Sequence, residues 1–541
     1  MPQTAIDLSK AAQSRGLDVP ALLASRVSRH PDKPFLIWEP FEGEPETWTY
    51  RGFQEQVFSL AGGLYGKGVQ AGDKVLLHMD NCPEFIFAWF ACAQLGAVAV
   101  STNTRAVSRD MRYFAEHAEI VCALTQPQYL KLVAESAPAL RFIAVTDTDS
   151  GAMADPLSGT DAIALSGLMQ TATPAPQRPV DPMADLAIQY TSGTTSRPKA
   201  VLWTHANATW GARLNAIHFR LSAGDRCLTF LPLYHTNAQS YSMLGTLQVG
   251  GSMVVQPRFS ASRFWSVALR NHCTWCSMIP FCVKALVKQP IPEEHSFRLW
   301  ITVVSMPDVA ALFAVDTLGL WGMTETITQG IVEDVDDPGP FMSIGRASPG
   351  YDIALLDDNN RWIKPGETGR LLIRGTRGVS LFKEYYKNPE ANSSAFDEDG
   401  WFDTGDRVQL ADDGLLYFKD RDKDMLKVGA ENVAASEVEA VIMETGWVDE
   451  CAVVGQKHDM LDEVPVVFLI PLPDAPKNIE AAVVQTCEQQ LPDFKVVRGV
   501  HVVDALPRST LEKIAKNELR DRLPEIVSER ADFKTSTSKS A

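Results

Sequence analysis

A run of small polar residues, Tyr190-Thr-Ser-Gly-Thr-Thr-Ser-Arg-Pro-Lys199, has the composition of a loop that can hold a polyphosphate. Small side chains let a backbone curl so that its N–H groups converge on an anion, and hydroxyl groups supply further donors. Arg197 and Lys199 add positive charge to the same segment. The short apolar run before it, Leu186 to Gln189, predicts a buried strand. The Gly-Lys-Ser/Thr ending of a Walker-type loop is missing, and a polar surface turn is the alternative interpretation.

Further polar motifs follow this loop along the chain. They are Leu231-Pro-Leu-Tyr-His-Thr-Asn-Ala-Gln239, Trp321-Gly-Met-Thr-Glu-Thr326, Gly400-Trp-Phe-Asp-Thr-Gly-Asp406, Asp420-Arg-Asp-Lys-Asp424, Lys427-Val-Gly-Ala-Glu-Asn432 and Pro507-Arg-Ser-Thr-Leu-Glu-Lys-Ile514. In this order they resemble the motifs of the adenylate-forming superfamily, which contains acyl-CoA ligases, luciferases and the adenylation domains of peptide synthetases. The resemblance extends from Ala21 to Leu523. The local motif forms are most similar to bacterial ligases of the carnitine/crotonobetaine–CoA and fatty-acid–CoA type.

The resemblance implies a nucleotide site. Its ATP- and AMP-binding residues would be Thr191, Ser192, Gly193, Thr194, Thr195, Lys199, Trp321, Gly322, Met323, Thr324, Asp406 and Arg421. Trp321 would stack on adenine, and Asp406 would accept hydrogen bonds from the ribose hydroxyls. Glu325 is the implied magnesium ligand, which agrees with the preference of Mg²⁺ for carboxylate and phosphate oxygens. Each motif also has a structural interpretation, as a helix start or a polar turn.

The resemblance also assigns residues to catalysis, to the acid and to coenzyme A. The implied catalytic residues are Lys513, His235, Glu325 and Thr191, and Lys513 would bind the carboxylate and α-phosphate oxygens. The implied acyl pocket contains Trp210, His235, Met278, Val303 and Ser305. Lys423 falls at the family's hinge position, and the residues of the implied CoA channel are Lys427, Gly429 and Glu431.

The chain departs from the family pattern at several positions. Glycine is usual where this chain has Ser196, Ala200, Asp420 and Glu512. Glu512 places a negative charge beside the implied catalytic lysine, so we expect a weaker first half-reaction unless its side chain turns away. Lys516 is the alternative lysine, but it is off-register. The segment between Val304 and Gly322 is shorter than usual by about two helical turns. The family pattern therefore does not predict the form of the adenine pocket wall in this chain.

Hydrophobic patterns predict an α/β fold. Arg51 to Tyr65 has the pattern of a helix, Lys74 to Met79 that of a strand, and a second helix with Pro83 in its first turn ends at Gly96. This alternation favours layers built on parallel sheets. We expect a large N-terminal AMP-binding domain of layered α/β subdomains plus a β-rich subdomain, over residues 1–422. A small, mobile α+β domain over residues 423–530 and a disordered tail over residues 531–541 complete the predicted organisation.

Composition narrows the class of protein. The formal net charge of −17 disfavours nucleic acid and anionic membranes as partners. The most apolar stretch, Phe85 to Val100, is too short for a membrane span and predicts a buried helix followed by a strand. The nine cysteines are scattered in apolar runs, and the Cys273–Cys276 pair is expected to pack in the core. With no signal-peptide pattern at the N-terminus, these features predict a cytoplasmic enzyme.

Together the motifs predict an acid–CoA ligase. Such an enzyme activates a carboxylic acid with Mg·ATP to an acyl-adenylate, releases pyrophosphate, and then forms a thioester with CoA and releases AMP. The apolar character of the implied pocket fits an aliphatic or aryl acid, and the resemblance allows a homodimer. One alternative is a stand-alone adenylating enzyme that loads a carrier protein. Another is a degenerate member that binds nucleotide without turnover.

Overall fold

The computed structural model describes residues 16–153, 160–170, 173–191, 198–421, 425–428, 431–458, 461–491, 493–508 and 514–523. The chain divides into two compact units. The larger unit contains residues 1–353 and 373–402, and the smaller unit contains residues 354–372 and 403–541. Both units combine helices with strands, which confirms the predicted α/β class.

The strands are short, as is usual for α/β proteins. In chain order they are β1 (Pro34–Trp38), β2 (Glu46–Thr49), β3 (Lys74–His78), β4 (Val98–Ser101), β5 (Ile120–Thr125), β6 (Ile143–Val145), β7 (Thr148–Asp149), β8 (Ala152–Met153), β9 (Ile163–Ala164), β10 (Asp185–Thr191), β11 (Lys199–Thr204), β12 (Arg226–Thr229), β13 (Ser252–Val255), β14 (Trp275–Ser277), β15 (Leu299–Ile301), β16 (Asp316–Leu318), β17 (Leu320–Gly322), β18 (Gln329–Val332), β19 (Ser343–Ala347), β20 (Asp352–Leu356), β21 (Thr368–Arg374), β22 (Glu384–Tyr385), β23 (Trp401–Leu410), β24 (Leu416–Arg421), β25 (Met425–Val428), β26 (Glu431–Ala434), β27 (Val448–His458), β28 (Asp462–Pro471) and β29 (Gly499–Val502).

The helices alternate with these strands over most of the larger unit. They are α1 (Val19–Arg29), α2 (Tyr50–Gly66), α3 (Pro83–Leu95), α4 (Ser108–His117), α5 (Leu130–Ser136), α6 (Leu165–Gln170), α7 (His205–His218), α8 (Gly245–Val249), α9 (Ala261–Arg270), α10 (Pro280–Val287), α11 (Pro307–Phe313), α12 (Pro389–Ala395), α13 (Ala435–Glu444), α14 (Ile479–Gln490) and α15 (516–523). Residues Asn237–Leu244 form a π-helix that leads directly into α8, and Thr324–Thr326 form a single 3₁₀ turn.

Two largely parallel sheets form the frame of the larger unit. The first has the order β16-β15-β14-β12-β13-β1-β2, with β2 antiparallel to its neighbour. The second has the order β22-β11-β10-β4-β3-β5-β6-β9, in which the strands from β10 to β9 are parallel. Ligands of open α/β sheets bind beyond the carboxyl ends of the strands. The loop after β10 starts at such an end.

Helices α2 and α3 lie between these two sheets. Their buried side chains form one apolar cluster with residues of β1 and β13 in the first sheet and of β3 and β4 in the second. Nearly every residue of α3 is buried, which explains why its sequence is apolar on all sides. The predicted buried helix followed by a strand is therefore confirmed over Phe85 to Val100.

The remaining strands are mostly antiparallel. In the larger unit, β17, β18 and β19 pair in that order. Strands β24, β23, β21 and β20 pair in that order, and most of their residues lie in the smaller unit. The smaller unit also contains the sheet β26-β25-β28-β27, with β29 parallel to β28. Alternate residues of β27 and β28 pack against α13 and α14 on one face and against α15 on the other, as the period of a strand requires.

The cysteines lie in the interior of both units. All nine cysteines are buried, and no disulfide joins them. Cys273 and Cys276 lie in the apolar cluster beside the first sheet, which confirms the prediction that they pack in the core. Among the helices that the structure describes, none combines the length and apolar character that a membrane crossing requires.

Candidate active site

The predicted phosphate loop connects two antiparallel strands of the second sheet. Thr191 at the end of β10 lies directly opposite Lys199 at the start of β11. The Thr191 hydroxyl donates to the Lys199 carbonyl oxygen at 3.4 Å. Because β10 is parallel to β4, the loop begins at the carboxyl edge of the parallel strands. Ser192, Gly193, Thr194 and Thr195 lie outside the described residues.

The predicted metal ligand, Glu325, is held near strand β11 by a tyrosine. The carboxylate is buried and its Oε1 accepts a hydrogen bond from the Tyr385 hydroxyl at 2.9 Å. Tyr385 lies on β22, opposite Val201 of β11. The Lys199 ammonium group lies 4.6 Å from the centre of the Tyr385 ring, within the range of a cation–π interaction. The carboxylate, the phenol and the loop lysine therefore form one cluster.

The protonation state of Tyr385 follows from its surroundings. Burial raises the pKa of the Tyr385 hydroxyl well above its usual value, and the neighbouring Glu325 carboxylate raises it further. The phenol therefore keeps its proton throughout the physiological range and acts as a hydrogen-bond donor. It stabilises the ionised form of Glu325, since a buried carboxylate needs a donor to offset the loss of water.

Thr324 connects the Trp321–Thr326 motif to the motif around His235. The Thr236 hydroxyl lies 3.1 Å from the Thr324 hydroxyl and 2.8 Å from Gln189 Oε1 on β10. The Trp203 indole donates to the Thr324 carbonyl oxygen at 2.9 Å. These contacts bring three motifs, which are distant in sequence, to the carboxyl end of β10.

His235 precedes the π-helix and is half-buried. Its carbonyl oxygen accepts from the Gln239 amide at 3.0 Å, and its ring lies 4.7 Å from the Tyr234 ring. The Gln239 side chain is buried and bonds to the Trp89 indole and to Gln189. This buried amide fixes the loop that carries His235 against β10.

Trp321, Gly322 and Met323 enter the site from β17. Trp321 is buried and lies opposite Ile331 of β18. A Cβ on Gly322 would lie 2.7 Å from both the Thr328 carbonyl oxygen and the Tyr241 hydroxyl, so this position requires glycine. The Met323 amide donates to the Thr326 hydroxyl at 3.0 Å and starts the 3₁₀ turn that contains Glu325.

The residues of the predicted acyl pocket differ from one another in burial and in their contacts. Trp210 is half-buried beside Gly350, where an added Cβ would lie 3.1 Å from the indole. Met278 belongs to the apolar cluster of the first sheet, and its amide donates to the Ile301 carbonyl oxygen at 2.7 Å. Val303 is exposed to solvent, whereas Ser305 is buried and donates to the Gly339 carbonyl oxygen at 2.6 Å. The hydroxyl of Ser305 therefore has a structural hydrogen bond.

In the smaller unit, the predicted ribose residues lie on paired strands. Asp406 of β23 is directly opposite Arg421 of β24, and the Asp406 side chain is buried. The Asp406 amide donates to the Thr404 hydroxyl, which in turn donates to the Leu371 carbonyl oxygen at 2.7 Å. Gly405 has a φ of +69°, a conformation that glycine adopts without strain.

The remaining predicted residues are described only in part. Lys427 of β25 lies opposite Asn432 of β26, and Glu431 starts β26, so two of the three implied CoA-channel residues lie on a pair of adjacent strands. Gly429 and Lys423 lie outside the described residues. Lys513 also lies outside them, directly before Ile514, which bridges to Arg508. The alternative lysine, Lys516, forms an ion pair with Glu439 at 2.8 Å, so its ammonium group has a structural partner.

Sequence patterns did not identify Tyr385 and Gln189 as parts of the site. Tyr385 belongs to a strand of two residues, which is too short to produce a periodic signal. The apolar pattern placed Gln189 only in a buried strand. Its polar side chain within that apolar run is the signal that could have marked it. Both were found through their contacts with Glu325 and Thr236.

Comparisons with known proteins agree with this geometry. Residues 23–386 match the model of the AMP-binding enzyme family, and residues 437–513 match the model of the AMP-binding enzyme C-terminal domain. The chain is 31% identical over 506 residues to the crotonobetaine/carnitine–CoA ligase of Salmonella enteritidis PT4, covering 90% of this chain and 96% of the relative.

Solved structures with the same fold include an anthranilate–CoA ligase in complex with anthranoyl-AMP. It has a TM-score of 0.84 and 24% identity, over 95% of this chain and 98% of that one. The o-succinylbenzoate coenzyme A synthetase of Bacillus subtilis, in complex with ATP and magnesium ion, has a TM-score of 0.79 and 24% identity, over 92% and 98%. This chain therefore belongs to the AMP-binding enzyme family, as an AMP-forming acid–CoA ligase.

Proposed function

We propose that the cluster of Glu325, Thr324, Tyr385 and Lys199 is the ATP site of this ligase, and that the acid it activates is aliphatic or aryl. The observation that carries the proposal is the buried Glu325 carboxylate, which accepts from Tyr385 beside the loop lysine. A carboxylate is rarely buried without a function or a partner, because desolvation disfavours its charge. Here it lies at the carboxyl edge of a parallel sheet, next to a lysine that can contact phosphate.

The donor set at Glu325 fits Mg²⁺. Among the residues that the structure describes, no three His, Cys, Asp or Glu side chains cluster as an all-protein metal site would require. One carboxylate matches the usual Mg²⁺ site, in which substrate phosphates supply further oxygens. When bound, Mg²⁺ would neutralise part of the charge that develops on the phosphates.

The first half-reaction is assigned to the phosphate-loop residues, to His235 and to Lys513. Thr191 and Lys199, with Ser192, Gly193, Thr194 and Thr195 between them, would hold the phosphates that leave as pyrophosphate. His235 would stand beside the acid carboxylate as it attacks the α-phosphorus. Lys513 would bind the carboxylate and α-phosphate oxygens. Attack and departure are in line, so these residues act by positioning and by stabilising charge.

The nucleoside half of ATP is assigned to the other motif residues. Trp321 would stack on adenine, while Gly322 and Met323 would contribute backbone to its pocket. Asp406 and Arg421 would bind the ribose. Their positions opposite each other on β23 and β24 support a shared role.

The second half-reaction requires the small domain to move. We propose a boundary at residue 422, with Lys423 as the hinge of a domain that comprises residues 423–530. Rotation about this hinge would withdraw Lys513 and bring Lys427, Gly429 and Glu431 to the CoA channel. The motif order supports this division, since the phosphate and ribose motifs precede the hinge and Lys513 follows it.

The acid is proposed from the residues of the acyl pocket and from the relatives. Trp210, Met278 and Val303 are apolar, and Ser305 is engaged with Gly339, so the pocket would select an apolar chain or ring. The matched Salmonella relative is named a crotonobetaine/carnitine–CoA ligase, so those two acids belong in the test panel.

We further propose a cytoplasmic location, which the absence of disulfides among nine cysteines supports, and a homodimer.

The test is pyrophosphate release from Mg·ATP with a panel of carboxylic acids, followed by AMP and thioester formation on addition of CoA. The panel should contain aliphatic acids of graded length, aryl acids, crotonobetaine and carnitine. If no acid in the panel raises pyrophosphate release above the acid-free rate, the result would instead support a degenerate protein that binds nucleotide without turnover. Thioester formation on a carrier protein but not on CoA would redirect the proposal to a carrier-loading enzyme.

Lys513→Ala tests the division of labour between the half-reactions. We expect it to abolish acid-dependent pyrophosphate release and largely to spare thioester formation from supplied acyl-adenylate. Lys516→Ala is the control, because Lys516 already pairs with Glu439. Equal loss of both half-reactions in Lys513→Ala would count against the assigned role.

A further inference from the structure

The backbone directly after Glu325 is strained. Ile327 has a φ of +64° and a ψ of −41°, although it is β-branched and fully buried. L-residues with branched side chains rarely adopt positive φ, because the Cβ substituents crowd the backbone. Strain of this kind persists only where surrounding contacts over-determine the conformation, and such sites cluster at functional positions. Ile327 is two residues from the proposed metal ligand.

Hydrogen bonds hold the turn on both sides of Ile327. The Thr328 amide donates to the Thr326 carbonyl oxygen at 2.6 Å. The Tyr351 hydroxyl donates to the same carbonyl oxygen, also at 2.6 Å. The Ile327 side chain packs on Gly211 of α7, where an added Cβ would lie 2.7 Å from Ile327 Cγ2. The strained residue, Ile327, therefore packs against helix α7.

Asn215, one turn further along α7, connects this turn to a second element. Its Oδ1 lies 2.5 Å from the Thr328 hydroxyl and accepts from Gln329 Nε2 at 2.8 Å. Its Nδ2 donates to the Ser240 carbonyl oxygen at 2.7 Å. Asn215 is fully buried, and both ends of its amide are used. A buried amide with complete bonding specifies a single arrangement, since any alternative leaves polar atoms unpaired.

The element on the far side of Asn215 also contacts the site. Ser240 belongs to the π-helix, which begins directly after Thr236. Thr236 is the residue whose hydroxyl meets that of Thr324. Asn215 therefore joins two segments that meet again at the contact between Thr324 and Thr236. One segment runs from Thr324 through the strained turn to Thr328. The other runs from Ser240 back along the π-helix to Thr236. Irregular helices of this kind occur often at functional sites.

We propose that Asn215 is a positioning residue for the ATP site. By accepting from Thr328 and Gln329 and donating to Ser240, it keeps Ile327 in its strained positive-φ conformation and so fixes Thr324 and Glu325 relative to Thr236. Asn215 touches neither nucleotide nor acid in this role. The inference rests on the proposed function of Glu325, and it adds a residue that the sequence motifs do not include.

The sharpest test removes one hydroxyl from the path. Thr328→Val keeps the shape of the side chain and deletes the hydroxyl that bonds to Asn215 Oδ1 and also lies 2.8 Å from Gln329 Oε1. We expect the Mg²⁺ concentration for half-maximal pyrophosphate release to rise about fivefold, since one buried hydrogen bond is lost. Thioester formation from supplied acyl-adenylate should keep its rate. Thr209→Val is the matched control, because Thr209 is a buried threonine of α7 whose hydroxyl bonds to carbonyl oxygens of its own helix.

Hydrogen exchange of the nucleotide-free protein supplies a readout that does not depend on activity. Amides 323–329 should exchange faster in Thr328→Val than in Thr209→Val, while amides of β3 and β4 keep their protection. Asn215→Asp retains the acceptor for Thr328 and Gln329 but loses the donor to Ser240. It should therefore loosen the π-helix amides 237–244 more than the turn.

The proposal is overturned if Thr328→Val and Thr209→Val change the Mg²⁺ requirement and the exchange of amides 323–329 alike. It is also overturned if Thr328→Val slows both half-reactions equally, because a global loss of packing would have that effect. Should the wild type release no pyrophosphate with any acid, the proposed function fails. The exchange comparison would still decide whether Asn215 and Thr328 hold the turn.

Discussion

Two buried carboxylates of this ligase, Glu325 in the larger unit and Asp406 in the smaller one, are equally shielded, at 4% exposure each. Their surroundings are built in different ways. The Glu325 carboxylate accepts from Tyr385, which is 60 residues away in sequence. The turn that presents Asp406 has a bond of its own, from the Asp406 amide to the Thr404 hydroxyl two residues before it, and that hydroxyl then donates to the Leu371 carbonyl oxygen.

The comparison suggests that the two groups tolerate change differently. A locally built turn keeps its conformation when distant parts of the protein shift, whereas a carboxylate held by a remote strand depends on how several elements pack. A metal ligand must match a narrow geometry, while ribose hydroxyls can be reached by hydrogen bonds from a range of positions. We therefore expect substitutions around Glu325 to alter the Mg²⁺ requirement, and substitutions around Asp406 to alter nucleotide affinity.

The largest effect is expected for Glu325→Gln. The amide removes the negative charge that would bind Mg²⁺ and keeps the size of the side chain. Pyrophosphate release should fall about a hundredfold or more, because metal stabilisation of phosphate charge contributes several kcal/mol. Steady-state rates over a range of Mg²⁺ concentrations check this. Glu390→Gln, at an exposed position in α12, is the control. A rate within twofold or so of the wild type would remove Glu325 from the metal site.

A smaller effect is expected for Asp406→Asn. Loss of the charge weakens hydrogen bonds from the ribose, so the KM for ATP should rise about tenfold while the Mg²⁺ requirement stays unchanged. Asp412→Asn in the neighbouring exposed turn provides the control. If Asp406→Asn shifted the Mg²⁺ requirement as strongly as the ATP KM, the contrast between the two carboxylates would be wrong.

The smallest effect is expected for Tyr385→Phe. The ring remains in place for Lys199, and only the hydroxyl that donates to Glu325 is lost. The Mg²⁺ concentration for half-maximal activity should rise about fivefold, because a buried carboxylate oxygen loses one donor. Tyr386→Phe, at the next residue, is the matched control. Titration of Mg²⁺ in both variants measures the difference, and identical curves would show that Tyr385 does not orient the carboxylate.

Much of the larger unit was predictable because its patterns are local. The helix expected over Arg51 to Tyr65 spans Tyr50–Gly66, and the strand expected over Lys74 to Met79 spans Lys74–His78. The helix after Asn81 ends as expected at Gly96, which has a φ of +79°. For this last helix, a proline in the first turn and a glycine after the last turn are the signals that mark its limits.

The candidate site was predicted only in part. The motifs identified Thr191, Lys199, Thr324 and Glu325, and the structure brings these residues to one edge of the second sheet. The roles assigned to these residues, like those of Lys513, Lys423 and the acyl-pocket residues, remain predictions. Ser305 illustrates why pocket residues are harder to infer: its hydroxyl bonds to Gly339, 34 residues away. Such a contact depends on how β15 and the segment after β18 pack, and no local pattern encodes it.

The sequence by itself determined the types and the order of the elements, and which motifs could hold phosphate, metal and ribose, because turn residues and apolar periods act over a few residues. Only the tertiary structure decided that Tyr385 donates to Glu325 and that Asn215 accepts from Thr328 across 113 residues. Those pairings follow from the order of strands in the sheets and from the packing of α7 on the strained turn. Contacts between distant segments exist only once the chain has folded, so their partners are set by the fold as a whole.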